Sequence, residues 1–173
     1  MRHAHHTAAL ALVLAGSLGM AGTACAGQAF TVAVKAIHKG EKFEMIHNDE
    51  RTGRMVFFSQ SRAVDRETKG KGLWNDSLRT ATAHWDMTNG TGTGRGFVRT
   101  EKGGGVVFVE WTGTCYGTGI VDGKPVTYCS GGWFVVPGSG TGPFAGLKGG
   151  GTWTGTNNAE GNFAEEWAGV MEQ

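Results

Sequence analysis

Residues 106–136, VVFVEWTGTCYGTGIVDGKPVTYCSGGWFVV, read as the two arms of one long β-hairpin whose register can be tested from the sequence itself. Folded about Asp122, the arms place Trp111 against Trp133, Gly113 against Gly131, Cys115 against Cys129 and Tyr116 against Tyr128. Strand side chains alternate between two faces, so a slip of one residue would break all four matches together. Val121-Asp122-Gly123 suits a three-residue turn with Gly123 in the left-handed position. Pro125, just beyond, must aim its missing N–H outward or sit at a bulge. Directly opposed strand residues have Cα atoms about 4.5 Å apart, which a disulfide can span. A Cys115–Cys129 staple is therefore expected, and closing such a loop contributes roughly 3 kcal/mol. A redox role has less support, because CxxC spacing is absent and nothing nearby would lower a thiol pKa.

The first 26 residues are expected to be a secretory signal peptide. Arg2 with His3, His5 and His6 forms a basic start, residues 8–20 are apolar but too short to span a membrane, and Ala24-Cys25-Ala26 is an A-x-A cleavage signal. This predicts an exported protein, periplasmic or secreted, whose mature domain is residues 27–173. Gly22-Thr23-Ala24-Cys25 only approximates a lipoprotein box, so a lipid anchor at Cys25 is the lesser alternative. Cleavage removes the histidine cluster and leaves two cysteines, as an oxidising compartment would favour. It also leaves 15 basic against 15 acidic residues, because Arg2 is the sole charge lost of the 16 Lys+Arg and 15 Asp+Glu. A balanced chain without a basic stripe argues against nucleic acid as a partner. No later apolar run is long enough for a transmembrane helix.

Along the mature chain, strands are expected at residues 29–37, stopped by His38-Lys39-Gly40, and then at 43–47, 54–64, 78–87, 97–100, both hairpin arms, 150–156 and 162–171. Residues 65–72, DRETKGKG, read as a solvated charged loop in which Asp65 and Arg66 form a surface ion pair. Residues 89–96 and 138–146 read as glycine-rich connections. No segment after residue 26 has a convincing helical period. Sequential short-turned strands bury their apolar faces as a barrel or a sandwich. The 31 glycines, several within strands, favour the coiling a closed barrel needs. The expected fold is all-β: a single antiparallel up-and-down β-barrel of about eight strands, with a β-sandwich as the alternative. A barrel of that size is filled by side chains or holds one small ligand.

Within residues 138–155, GSGTGPFAGLKGGGTWTG, the chain resembles the G-T-G-x-F-x-G-x-x-G signature of the allene oxide cyclase/dirigent barrel superfamily. Gly140, Thr141, Gly142, Phe144, Gly146 and Gly149 carry the match, over about fifteen residues. The resemblance implies an eight-stranded barrel with an interior cavity, often trimeric, that takes hydrophobic small molecules such as fatty-acid epoxides or phenylpropanoid radicals. Some relatives are isomerases or cyclases and others steer a reaction without acid–base chemistry. The cyclase's catalytic residues do not map onto this chain, so none is carried over. Gly151-Thr152-Trp153 also resembles the G-T-W of avidin-like barrels, but here it lies near the end of the chain.

The odd-numbered face of the hairpin (Val107, Val109, Trp111, Cys115, Cys129, Trp133, Val135) is free of charge and is the expected interior. Trp111 and Trp133 read first as plain core packing, and the alternative is that indoles beside glycines leave an aromatic-walled hollow suited to a flat apolar ligand. The even face carries Phe108, Glu110, Thr112, Tyr116, Tyr128 and Phe134, an outer surface or subunit contact. Which face lines the cavity is not fixed by sequence. Candidate ligand contacts are Trp111 and Trp133 on one face and Tyr116 and Tyr128 on the other. Glu110 is the candidate general acid or base, should burial beside Phe134 raise its pKa.

Glu165 and Glu166 point to opposite faces, so a paired-carboxylate hydrolase is unsupported. His38, His47 and His84 have no ligand spacing, so neither a metal site nor a Ser–His–Asp triad is expected. No phosphate-cradling motif is present, and no cofactor is expected. The leading expectation is a barrel that binds a small hydrophobic or aromatic molecule, with a homo-oligomer, trimer or dimer, as a further partner state. The alternatives are an isomerase or cyclase on the same fold, favoured by an inward carboxyl, and a structural or protein-interaction module.

Overall fold

The computed structural model describes residues 27–121, 124–157 and 162–173. The leader, the hairpin tip at Asp122 and Gly123, and the turn at residues 158–161 lie outside the described residues. Nine strands follow in order: β1 Ala29–Asp49, β2 Arg54–Val64, β3 Arg66–Lys69, β4 Leu78–Thr88, β5 Thr91–Lys102, β6 Gly105–Val121, β7 Lys124–Val135, β8 Lys148–Asn157 and β9 Phe163–Glu172. All pairings among them are antiparallel. Eight strands close a barrel-like ring, β1-β2-β4-β5-β6-β7-β8-β9, and β3 lies along β1 beyond the end of β2.

The mirror hairpin is present in the expected register. Trp111 pairs with Trp133, Gly113 with Gly131, Cys115 with Cys129 and Tyr116 with Tyr128, and the two cysteines are disulfide-bonded with Cα atoms 4.0 Å apart. The register shifts by one between Gly117 and Gly119, so Val121 pairs with Lys124 and belongs to the ladder rather than to the turn. The odd face is the interior: Val107, Val109, Trp111, Cys115, Cys129, Trp133 and Val135 are all buried.

Four expectations are corrected. His38-Lys39-Gly40 does not stop the first strand, since β1 continues to Asp49, with register shifts at Glu41 and Ile46 absorbing its change of course. Residues 91–96 belong to β5, because Asn89-Gly90 (φ 51° and 79°) makes a two-residue hairpin turn closed by the Thr88–Thr91 pair. Residues 66–72 are mostly exposed, as expected, but they are not all loop, because Arg66–Lys69 forms β3, and Glu67 accepts the amides of Gly72 (2.7 Å) and Trp74 (2.7 Å). Asp65 makes no surface pair with Arg66 but is fully buried, for reasons the site makes plain.

Indoles packed over glycines fill most of the interior. Trp85 faces Gly94 across the β4–β5 ladder, Trp111 faces Gly96, and Trp153 faces Gly131. A Cβ added at Gly94 would lie 2.2 Å from the Trp85 ring, and one at Gly113 would lie 2.3 Å from Trp153. Only hydrogen at these positions lets flat rings lie against backbone. An aromatic belt results, running from Phe43 through Phe57, Trp85, Trp111 and Trp153 to Phe163 and His38, with neighbouring centroids 4.9–6.5 Å apart. One end of the ring is plugged. There the glycine-rich segment makes a 3₁₀ turn at Gly142–Phe144 that buries Phe144 and Leu147, and the Phe144 ring meets Trp74 at 5.5 Å.

Candidate functional site

β1, β2, β4 and β9 each direct a polar side chain inward where the apolar alternation would place a hydrophobe. His38 continues the inward run of Val32, Val34 and Ala36; Arg79 shares its face with Ala83 and Met87; Glu165 shares its face with Trp167 and Met171. Ser61 faces inward between Ser59 and Ala63 on β2. Ring closure brings these residues together.

His38 Nδ1 lies 2.9 Å from Ser61 Oγ and Nε2 lies 2.8 Å from Glu165 Oε1. Arg79 Nη1 donates to the same carboxylate oxygen, and Arg79 Nε lies 2.7 Å from Asp65 Oδ1, a contact of charges rather than a linear hydrogen bond. Asp65 also accepts the Ser77 hydroxyl at 2.7 Å, and the guanidinium lies 4.5 Å over the Trp167 ring. Two carboxylates, one guanidinium and an imidazole thus form a continuous buried network. Each partner offsets the desolvation of the next, which is the condition for ionised groups to sit in an interior.

The two carboxyls respond differently. Burial would raise Glu165, but the charges of His38 and Arg79 and the hydrogen bond from His38 outweigh it and hold the carboxyl at about 2. Burial dominates at Asp65 and pushes it above its ordinary value despite Arg79 and Ser77. Glu165 is therefore the firmly ionised member and can only accept hydrogen bonds. A carboxylate beside Nε2 requires a proton on that nitrogen, so Nδ1 is the ring nitrogen left to face the Ser61 hydroxyl.

A cavity of about 230 Å³ lies against this network. Trp111, Trp153, Trp167 and Phe163 give it aromatic walls, while Ser59, Ser61, Ala81 and Ala83 are too small to fill it. His38 and Glu165 supply its polar end, and Gly40, Lys42 and the exposed Phe43 lie along its rim.

The residues singled out by sequence distribute unevenly around this cavity. Trp111 lines it. Trp133 is buried on the interior side but packed against Trp167 (5.4 Å), with its indole N–H donated to the Thr152 carbonyl (3.0 Å), and it does not line the cavity. Tyr116 and Tyr128 stand on the outer face, 51% and 39% exposed. Glu110 is also outward, between Phe97 and Phe134 in the strand pairing, and so takes no part in interior chemistry. Glu165 turns inward, whereas Glu166 turns outward and pairs with Lys35 at 3.5 Å. His38, Ser61, Arg79 and Asp65 were not anticipated as a site. The signal that finds them is inward parity: each is a polar residue in register with a buried hydrophobic run. No family model matches the chain, and no curated protein matches its sequence.

Proposed function

We propose that the protein binds a small, mostly apolar molecule carrying one polar group, with its ring or chain among the indoles and its polar group on His38. The observation that carries this reading is the cavity's division into aromatic walls and one hydrogen-bonding end. Its volume lies below the roughly 300–1,000 Å³ of drug-sized pockets, so a single-ring or short-chain ligand is the fit. Kinship with the allene oxide cyclase/dirigent barrels accords with the eight-stranded ring, the glycine-rich plug and the interior cavity. Export remains part of the proposal and accords with the disulfide. Among the described residues no helix is long and apolar enough to cross a membrane.

The test is titration with single-ring phenols, followed by indole fluorescence and calorimetry. Micromolar-to-millimolar binding is expected in the native protein, with loss of at least about tenfold on filling the cavity by Ala81→Leu. Tenfold corresponds to about 1.4 kcal/mol, less than burial of one side chain. Equal affinity in the filled variant would remove the interior site.

The isomerase or cyclase reading is favoured by the inward carboxyl, but its acid–base group moves. His38 touches the cavity and Glu110 does not, so proton transfer on a bound molecule would run through His38. Self-association is proposed through the outer face, where Phe97, Phe108 and Phe134 are 49%, 39% and 46% exposed.

A further inference from the structure

We infer that Ser61, His38 and Glu165 form a nucleophilic relay that hydrolyses small esters in the barrel cavity. The inference rests on the reading of that cavity as a small-molecule site and adds a reaction to it. Three observations carry it. The chain of contacts Ser61 Oγ, His38 Nδ1, His38 Nε2, Glu165 Oε1 is continuous at 2.9 and 2.8 Å. All three residues line the cavity, so a substrate carbonyl placed there meets the hydroxyl. A bulge at Glu41 interrupts β1 opposite Ser61, since Gly40 pairs with Ser61 and Lys42 with Gln60. Bulges of this kind break the ladder and re-aim side chains beside active sites.

Arg79 gives the relay its direction. A carboxylate fixed in its ionised form by a guanidinium orients the imidazole and stabilises the imidazolium without taking its proton, which is the role of the acid in a serine–histidine–acid triad. A histidine needing only to be satisfied in a core would be served by the carboxylate alone. Here the second nitrogen faces a half-buried hydroxyl at the edge of an open volume.

The reaction balances with water as the second reactant. Ser61 Oγ attacks the ester carbonyl carbon as its proton passes to His38 Nδ1. The tetrahedral adduct collapses, the bond from carbonyl carbon to alkoxy oxygen breaks, and the leaving alcohol takes the proton from Nδ1. Water then attacks the acyl-serine, giving a proton to Nδ1. Collapse returns that proton to Ser61 Oγ and releases the carboxylic acid. Aryl and short-chain esters are the class that fits the volume and the aromatic walls.

The experiment treats the full-length protein with phenylmethylsulfonyl fluoride and maps the adduct by peptide mass. In parallel, 4-nitrophenyl acetate hydrolysis is followed in the native protein, Ser61→Ala and His38→Asn. Expected are one sulfonyl group per chain on Ser61, a burst of 4-nitrophenol, and a fall of roughly 100-fold or more in both variants. Ser59 lines the same cavity two residues away and serves as the internal control. Labelling at Ser59 rather than Ser61, or equal turnover in Ser61→Ala, overturns the relay. The mapping uses native protein, so it decides even if a variant fails to fold. Binding of 4-nitrophenol without sulfonylation would sink the relay and leave the binding site standing. Absence of both would sink the two together.

Discussion

Asp65 and Glu165 share the guanidinium of Arg79 inside the barrel, Asp65 fully buried and Glu165 nearly so at the polar end of the cavity. Removing the shared cation leaves two buried carboxyls facing each other, a change that costs about 3–5 kcal/mol where one partner of a buried pair is deleted. Arg79→Met, which keeps most of the side-chain volume, is expected to lose that amount in urea unfolding; a loss below 1 kcal/mol would show the network to be dispensable. Glu165 also writes a pH signature. Its folded pKa lies below its ordinary value of 4.5, at about 2, so its contribution is complete above pH 4.5 and disappears as pH falls through 2. That shift corresponds to roughly 3 kcal/mol at 1.36 kcal/mol per unit. Asp65, raised by burial, has the opposite sign: its protonation on acidification favours the folded state. Comparing native protein with Glu165→Gln at each pH removes the Glu165 contribution, together with the charge that helps raise Asp65. The stability gap between the two is expected to close between pH 4.5 and pH 2, and a gap independent of pH would assign the lowered pKa to the wrong carboxyl.

At the scale of strands, shape is set by large rings laid on bare backbone. Gly113→Ala places a methyl 2.3 Å from the Trp153 ring and 2.8 Å from the Ser130 carbonyl, so ring or strand must move. Overpacking of this kind costs typically about 1–3 kcal/mol, and it should shift indole emission because Trp153 belongs to the aromatic belt. An unchanged midpoint and spectrum would mean the sheet yields without cost. The Cys115–Cys129 bond closes a loop of 14 residues between neighbouring strands, and its reduction is expected to remove roughly 3 kcal/mol while leaving the strand signal in circular dichroism. This hairpin was the most legible part of the chain, because its four like pairs and two-residue alternation are properties of adjacent strands. The polar site was much less so. His38 and Glu165 are 127 residues apart and Arg79 and Glu165 are 86 apart. Each has inward parity on its own strand, but their meeting depends on how far the strands slide past one another when the ring closes, which no local pattern encodes. The Asn89-Gly90 turn was readable; a glycine-threonine run masked the strand that follows it.

Closure of the ring removes its edges, yet leaves an unusual surface. Phe97 on β5 pairs with Glu110 on β6, which pairs with Phe134 on β7, and Phe108 lies two residues away on the same outer face. Three half-exposed phenylalanines around one carboxylate make a contiguous apolar patch of the kind monomers rarely display and subunit contacts use. Arg95, at a neighbouring outward position of β5, gives the patch a cation that a second copy's Glu110 would meet, while Arg99 beside it already pairs with Glu101 of its own chain. A symmetric dimer presents each patch to itself, so Glu110 of one chain can face Arg95 of the other; a trimer demands two different patches. Native mass spectrometry is expected to find an oligomer, and the double change Phe97→Ser with Phe134→Ser to yield monomer with an unfolding midpoint within a few degrees of the native protein measured at equal chain concentration. Both side chains point away from the core, so fold stability should follow the interior while assembly follows the surface. A monomeric native protein, or an oligomer indifferent to the double change, would remove the outer face as a contact.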